Sequence, residues 1–139
     1  MSEDRFHSVI VNKKDRGFSA ATVIPLGATS LVFVSGEVGR DESGKIVSGG
    51  FEAEVRQCFA NLHRSLAGAG ATFRDVVRLT AYVKDLADYA VYSRVRLEIF
   101  GDGVWPASSS VGVADLLLGA KLEVELIAAI AGPSVKGLT

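Results

Sequence analysis

The 139-residue sequence is poor in cysteine, histidine and proline, with one, two and three of each, and those scarcities narrow the options before any motif is read. Cys58 has no second thiol for an internal disulfide, and its place among helical apolar positions predicts a buried, inert thiol rather than a nucleophile. The few prolines form no Pro/Ser-rich linker, and there is no low-complexity tract or repeat at a period of about 20–50 residues. One domain over 1–139 is therefore expected, since a second core would leave each half too small, with an untethered tail from about residue 132. No apolar run approaches the roughly 18 residues a membrane helix needs. The acidic start Met1-Ser2-Glu3-Asp4 stands where a secretory signal would be basic, so a cytoplasmic location is expected. Fifteen basic against sixteen acidic residues give a formal charge of −1. No Lys/Arg run can neutralise several phosphates at once, so neither nucleic acid nor membrane is an expected partner.

What is abundant is apolar surface. Apolar residues make up 48% of the chain against 22% charged, which excludes disorder and suggests a subunit interface. A monomer with a rich core is the alternative.

Along the chain, Ser8 to Val11, Ser19 to Ile24 and Leu31 to Val34 read as strands, the last stopping at Ser35-Gly36. Gly39 to Gly50 is a turn-rich connection. From Phe51 to Ala69, Phe51, Val55, Cys58, Phe59, Leu62 and Leu66 recur at helical spacing, with a stop near Gly68 or Gly70. Val76 to Lys84 alternates, placing Val77, Leu79, Ala81 and Val83 on one face and Arg78, Thr80, Tyr82 and Lys84 on the other. Asp85 predicts the cap of a second helix reaching about Phe100, with Asp88 in its first turn. Strands at about Ala107 to Val113 and Lys121 to Ala131 complete the order β-β-β-α-β-α-β-β. Both faces of the last strand are largely apolar, with Leu122, Val124, Leu126, Ala128 and Ile130 opposing Ile127, Ala129 and Ala131. Two helices can cover one face of a single sheet, so another subunit is the natural cover for the second.

Five segments stand in order along the chain: Phe33-Val34-Ser35-Gly36-Glu37-Val38, Gln57 with Asn61-Leu62, Asp75 to Val83, Pro106-Ala107-Ser108-Ser109-Ser110-Val111, and Leu116 to Glu125. Together they resemble the RidA/YjgF family of small trimeric proteins, whose best-studied members hydrolyse reactive enamines and imines. The resemblance spans nearly the whole chain. It implies an α+β, chorismate-mutase-like (YjgF-like) fold: one mixed sheet, two helices on one face, and a homotrimer with clefts between subunits. It also implies a cofactor-independent site with no metal, in which Glu123 is the catalytic carboxylate and Phe18, Gly36, Glu37, Ser108, Ser109 and Ser110 bind substrate.

Imine hydrolysis requires a placed water, a carboxylate to orient or deprotonate it, and a proton donor for the departing amine. Glu123 matches the family's carboxylate beside the reacting water, and Glu125 shares its strand face. A pair of strand carboxylates in salt bridges or solvent is the plainer alternative. Ser108, Ser109 and Ser110 offer hydroxyls and backbone N–H groups for a ligand oxygen, or are simply a polar strand start. Gly36 admits close backbone approach, or is a strand-end turn. Phe18 matches a position that walls the cleft. Trp105 either walls it too or is plain packing. His7 and His63 lie where the resemblance implies no pocket, which leaves a serine nucleophile without a base.

The main departure is at Ser108, where deaminating members carry an Arg that grips a substrate carboxylate with a planar fork. A hydroxyl cannot replace that grip, so a specificity unlike that of the Arg-bearing deaminases is expected. Arg40 and Arg96 are candidates to restore the cation, against the alternative of solvated surface arginines. The leading expectation is an enamine/imine hydrolase or tautomerase with altered specificity. A non-catalytic trimer that binds or senses a metabolite is the alternative from another class, and RNA cleavage is a third, opposed by the near-neutral charge.

Overall fold

The structure, a computed structural model, describes residues 6–9 and 17–131. Six strands form a single sheet: β1 (His7–Val9), β2 (Ala21–Leu26), β3 (Thr29–Val38), β4 (Val76–Val83), β5 (Ala107–Gly112) and β6 (Leu122–Ala131). Helices α1 (Phe51–Gly68) and α2 (Tyr89–Phe100) follow β3 and β4. The strand order is β1-β2-β3-β6-β4-β5, antiparallel except for the parallel β4–β5 pair. This is the expected single mixed sheet. The predicted end of the first strand at Val11 and the tail from 132 lie outside the described residues.

The core lies between α1, α2 and one sheet face. Val23, Val32, Leu79, Ala81, Leu122, Val124 and Ala128 are fully shielded there, against Val55, Cys58, Leu62 and Leu66 of α1 and Tyr92 and Val95 of α2. Helical recurrence in α1 and alternation in β6 together dictate this layer. Gly70, at φ 78°, closes α1, as its N–H and that of Ala71 return to Ala67 O and Leu66 O. Cys58 is buried, donates to Glu37 O at 3.2 Å, and has its thiol pKa pushed well up, by burial above all. That protonated, enclosed state suits an inert thiol. No helix among the described residues is long and apolar enough to cross a membrane.

Three local expectations are corrected. Instead of stopping at Ser35-Gly36, β3 continues to Val38, with those two residues opposite Glu125 alone, between the Val34–Leu126 and Glu37–Val124 pairs. Such a bulge lets a strand absorb a glycine that otherwise reads as a terminator. In β4 a second irregularity makes Val77 the extra residue between Val76–Ala128 and Arg78–Ile127. Val77 therefore faces outward and Val76 inward, reversing the alternation expected there. Finally, Asp85 accepts from Ala87 N at 2.9 Å and caps a short 3₁₀ turn, so α2 begins only at Tyr89.

The uncovered face carries Thr22 and Ile24 of β2, Leu31, Phe33 and Ser35 of β3, Arg78, Thr80 and Tyr82 of β4, and Glu123, Glu125, Ile127 and Ala129 of β6. It is part apolar and part polar, and no element of the described chain packs on it.

Within the core, Tyr92 is fully buried and stacks on Phe59, with ring centroids 6.2 Å apart. Its hydroxyl has no hydrogen-bond partner among the described residues, and burial pushes its pKa up to about 12. An unpaired buried hydroxyl costs on the order of 1–3 kcal/mol relative to a paired one, so its removal relieves a penalty. Tyr92→Phe is expected to leave thermal stability unchanged or raise it. A loss above about 1 kcal/mol in denaturant titration would mean that the hydroxyl does have a partner.

Candidate functional site

Glu123 sits on the open face of β6, across from Tyr82 of β4 and beside the β3 bulge. Gly36 is what makes room for it: a Cβ there would stand 3.1 Å from Glu123 Cδ. A larger residue there would press on the Glu123 side chain, which would have to give by a few tenths of an ångström, and Gly36 lies within the strand rather than in a strand-end turn. The Glu123 carboxyl is half-buried and its pKa is raised, first by desolvation, then by the negative charges of Glu125 and Glu37. A carboxylate whose proton is held more tightly than usual is suited to general-base work.

Its strand neighbour is bound differently. Glu125 accepts a 2.7 Å hydrogen bond from the Tyr82 hydroxyl, which raises the tyrosine's pKa. Glu125 also borders an open-face hollow of about 460 Å³ lined in part by Phe18, Phe33, Ser35, Thr22 and Arg78. Phe18 stands 60% exposed at its rim, while Ser35 is pinned by its own hydroxyl bond to Ser19 O at 2.6 Å. Glu123 lies next to this hollow, nearer Gly36.

Glu37 has turned to Arg40. The Arg40 guanidinium donates to both Glu37 carboxylate oxygens at 3.1 and 3.3 Å, with the two side chains only 18% and 11% exposed. Asn61 Nδ2 locks the loop by donating to Val38 O and Arg40 O at 2.9 and 3.0 Å. Arg40 is therefore neither a solvated surface arginine nor a free cation for a ligand.

The three serines of β5 do not act as one donor set. Pairing with β4 runs Leu79–Ser108, Thr80–Ser109 and Ala81–Ser110, so Ser109 faces the open side while Ser108 and Ser110 face α2. Ser109 accepts from Arg78 Nη2 at 2.8 Å. Ser108 accepts from Arg96 Nη1 at 3.3 Å, beside a second cavity of about 360 Å³ that Trp105 also lines. Trp105 is 61% exposed and anchored by indole donation to Gly101 O at 2.8 Å. Glu123 and Ser108 thus lie on opposite faces of one sheet, and a single chain does not bring them together. His63 is on the exposed side of α1, tilted against Phe73, and His7 is in β1.

Of the residues expected at the site, Phe18 lines the hollow, whereas Glu123 and Gly36 adjoin each other outside its lining. Sequence reasoning missed the Tyr82–Glu125 bond and the Arg78–Ser109 bond. Strand alternation, which puts Arg78 and Tyr82 on the polar face of β4, was the available signal for both.

Comparison with known proteins accords with this architecture. A family model described as endoribonuclease L-PSP matches residues 15–130. The 2-iminobutanoate/2-iminopropanoate deaminase of Mus musculus is 36% identical over 106 residues, covering 76% of this chain and 77% of that protein. The solved structure of protein YJGH superimposes with a TM-score of 0.78 at 34% identity, over 91% of this chain and 98% of that one. RidA from the Antarctic bacterium Psychrobacter sp. PAMC 21119 gives 0.75 at 29% identity, over 92% and 100%. With its sheet order, its two helices and a match across most of its length, the chain belongs to the endoribonuclease L-PSP family, the RidA/YjgF proteins.

Proposed function

We propose that the protein is an enamine/imine hydrolase that works in clefts between three copies of itself, with Glu123 as its general base. The observation that carries this reading is the half-buried Glu123 carboxyl, given space by Gly36 and held with a raised pKa on an uncovered sheet face. The similarity to proteins named imine deaminases supports the same chemistry.

The chemistry balances without a cofactor. Glu123 takes a proton from water as the water oxygen bonds to the imine carbon. The carboxyl returns that proton to the nitrogen, giving a carbinolamine; the carboxylate then carries the adduct's hydroxyl proton to the same nitrogen, the carbon–nitrogen bond breaks, and ammonia leaves as the carbonyl forms. An enamine enters the same route after protonation at carbon. The placement of the two half-sites supports a cleft between copies. One copy presents Glu123, Gly36 and Phe18 from its open face, and a neighbour presents Ser108 and Ser110 from its β5 edge. Phe33, 38% exposed, with Leu31, Ile127 and Ala129 gives that face apolar area that a partner would remove from water. A formal charge of −1 argues against RNA as the substrate.

Glu123→Gln is expected to lower kcat/KM by about 10²–10⁴-fold on imines generated in situ by an amino-acid oxidase, with the oligomer intact. Equal turnover by that variant would remove Glu123 from the mechanism.

The raised pKa of Glu123 sets the direction of two pH effects. Activity requires the ionised base, so the acidic limb of the wild-type pH profile is expected above the ordinary carboxylate value of 4.5. Stability runs the other way: the folded state holds this proton more tightly than the unfolded chain, so the contribution favours folding below 4.5 and is lost as pH rises through the raised value. Glu123→Gln should therefore melt higher than wild type at neutral pH, with the gap closing in acid. A constant gap would show that the carboxyl is not perturbed.

A further inference from the structure

We infer that Tyr89 is the proton donor to the departing amine, a second catalytic group that Arg96 positions and polarises. The inference rests on the cleft of the proposed function and gives it an acid facing the base.

An amine leaves only once its nitrogen carries an extra proton, and Glu123 works from the open face, on the side of the activated water. A donor on the opposite wall spares the carboxylate that crossing. Tyr89, Tyr92, Ser93 and Arg96 recur at i, i+3, i+4 and i+7 and so share one face of α2, from which Arg96 reaches Ser108 of β5 at 3.3 Å. The guanidinium carbon lies 5.2 Å from the Tyr92 ring centroid and 5.9 Å from that of Tyr89, so the two rings hold the cation in place. From there it donates to the Ser93 hydroxyl at 3.2 Å and, at a longer 3.5 Å, to the Tyr89 hydroxyl. A guanidinium can only donate, so the phenol meets it as an acceptor and keeps its own O–H for another partner. No ion pair among the described residues includes Arg96, so no carboxylate cancels its charge.

The three tyrosines of the chain stand in different surroundings. Tyr82 donates to Glu125, which raises its pKa, and burial pushes Tyr92 up to about 12. Tyr89, 36% exposed, is the one held below the ordinary phenol value of 10.0. The hydrogen bond from Arg96 is the first cause, opposed by desolvation, while the Arg96 charge and the hydroxyls of Ser93 and Ser110 act with it. The groups around it are thus Arg96, Tyr92 and Ser93 from α2 and the neutral Ser110 from β5. A phenol whose anion is stabilised is a stronger acid than a free one. It stands at the β5 edge that the proposed cleft sets against Glu123 of a neighbouring copy.

At the carbinolamine, Glu123 takes the hydroxyl proton and Tyr89 gives its own proton to the nitrogen. The carbon–nitrogen bond breaks, its electron pair leaving with ammonia as the carbonyl forms. The carboxyl then loses its proton to solvent and the tyrosinate regains one, which restores both groups. Tyr89 thereby replaces the carboxylate as the carrier of the last proton.

Tyrosinate absorbance reads this group without turnover. Wild type should show one of its three tyrosines ionising below 10, Tyr89→Phe should lose that phase, and Arg96→Met should move it upward. On imines generated in situ by an excess of amino-acid oxidase, Tyr89→Phe should lower kcat by about 10²-fold and erase the basic limb of the pH profile. Arg96→Met should shift that limb upward together with its tyrosine phase, a linkage that a merely structural role does not produce. Circular dichroism and sedimentation matching wild type would show that the variants fold. Persistence of the early phase in folded Tyr89→Phe, or wild-type turnover by that variant with its basic limb unchanged, would overturn the assignment. Glu123→Gln should keep the tyrosine phase while losing turnover. If Glu123→Gln is fully active and Tyr89→Phe is not, the proposed general base fails and the Tyr89 acid stands; the opposite pattern removes Tyr89 alone, and a wild type without imine hydrolysis removes both.

Discussion

Among the described residues, a sheet of six strands with two α-helices to cover it has one face closed and one open, and most of what is distinctive about this protein follows from that constraint. The helix side is finished: the central strands β3, β6 and β4 bury an unbroken layer of Val, Leu, Ala and Ile against α1 and α2. On the other side the same strands present Phe33, Ile127 and Ala129 alongside Glu123, Glu125, Tyr82 and Arg78. A purely solvated face would carry fewer apolar groups, and a purely structural interface would not hold a carboxylate with a raised pKa in a gap shaped by glycine. The mixture fits the proposed reading of a contact surface with a reactive pocket set into it.

The two proposed half-sites are built by different means. On the open face the bulge at Ser35-Gly36 adds one residue opposite Glu125 and sets a glycine against the Glu123 side chain. On the helix side it is α2 that matters, since its tyrosines hold Arg96 over the cavity at the β5 edge. Between them, the Glu37–Arg40 pair and Asn61 secure the loop that leaves β3. Glu37 adds negative charge near Glu123 and so helps to raise its pKa.

Period and alternation made most of the fold legible. Both helices and all six strands were anticipated, because a buried layer forces apolar residues into recurrences that survive in one dimension. What failed was local and has a common cause. The bulges at Ser35-Gly36 and Val77 each insert one residue, and a single insertion inverts the inside-outside pattern without altering composition. Asp85 was read correctly as a cap but for the wrong turn, since a 3₁₀ start and an α start use the same side chain. At the site, Glu123 and Gly36 were legible as motif residues, whereas the proximity of Arg96 to Ser108 was not. That contact joins a helix to a strand across twelve residues of chain and depends on where the helix docks, which no periodicity records.

The account stands or falls on whether Glu123 of one copy works with the Ser108 edge of another. Mixed-subunit complementation tests this directly: Glu123→Gln subunits and Ser108→Trp subunits, each inactive as a homo-oligomer, are unfolded together and refolded as a mixture. If clefts are shared, about one quarter of them in a random equal mixture pair an intact Glu123 with an intact Ser108 edge, and imine hydrolysis returns to that fraction of wild type. Activity no higher than that of the separate variants, in a mixture shown to contain hybrid oligomers, would contradict the account.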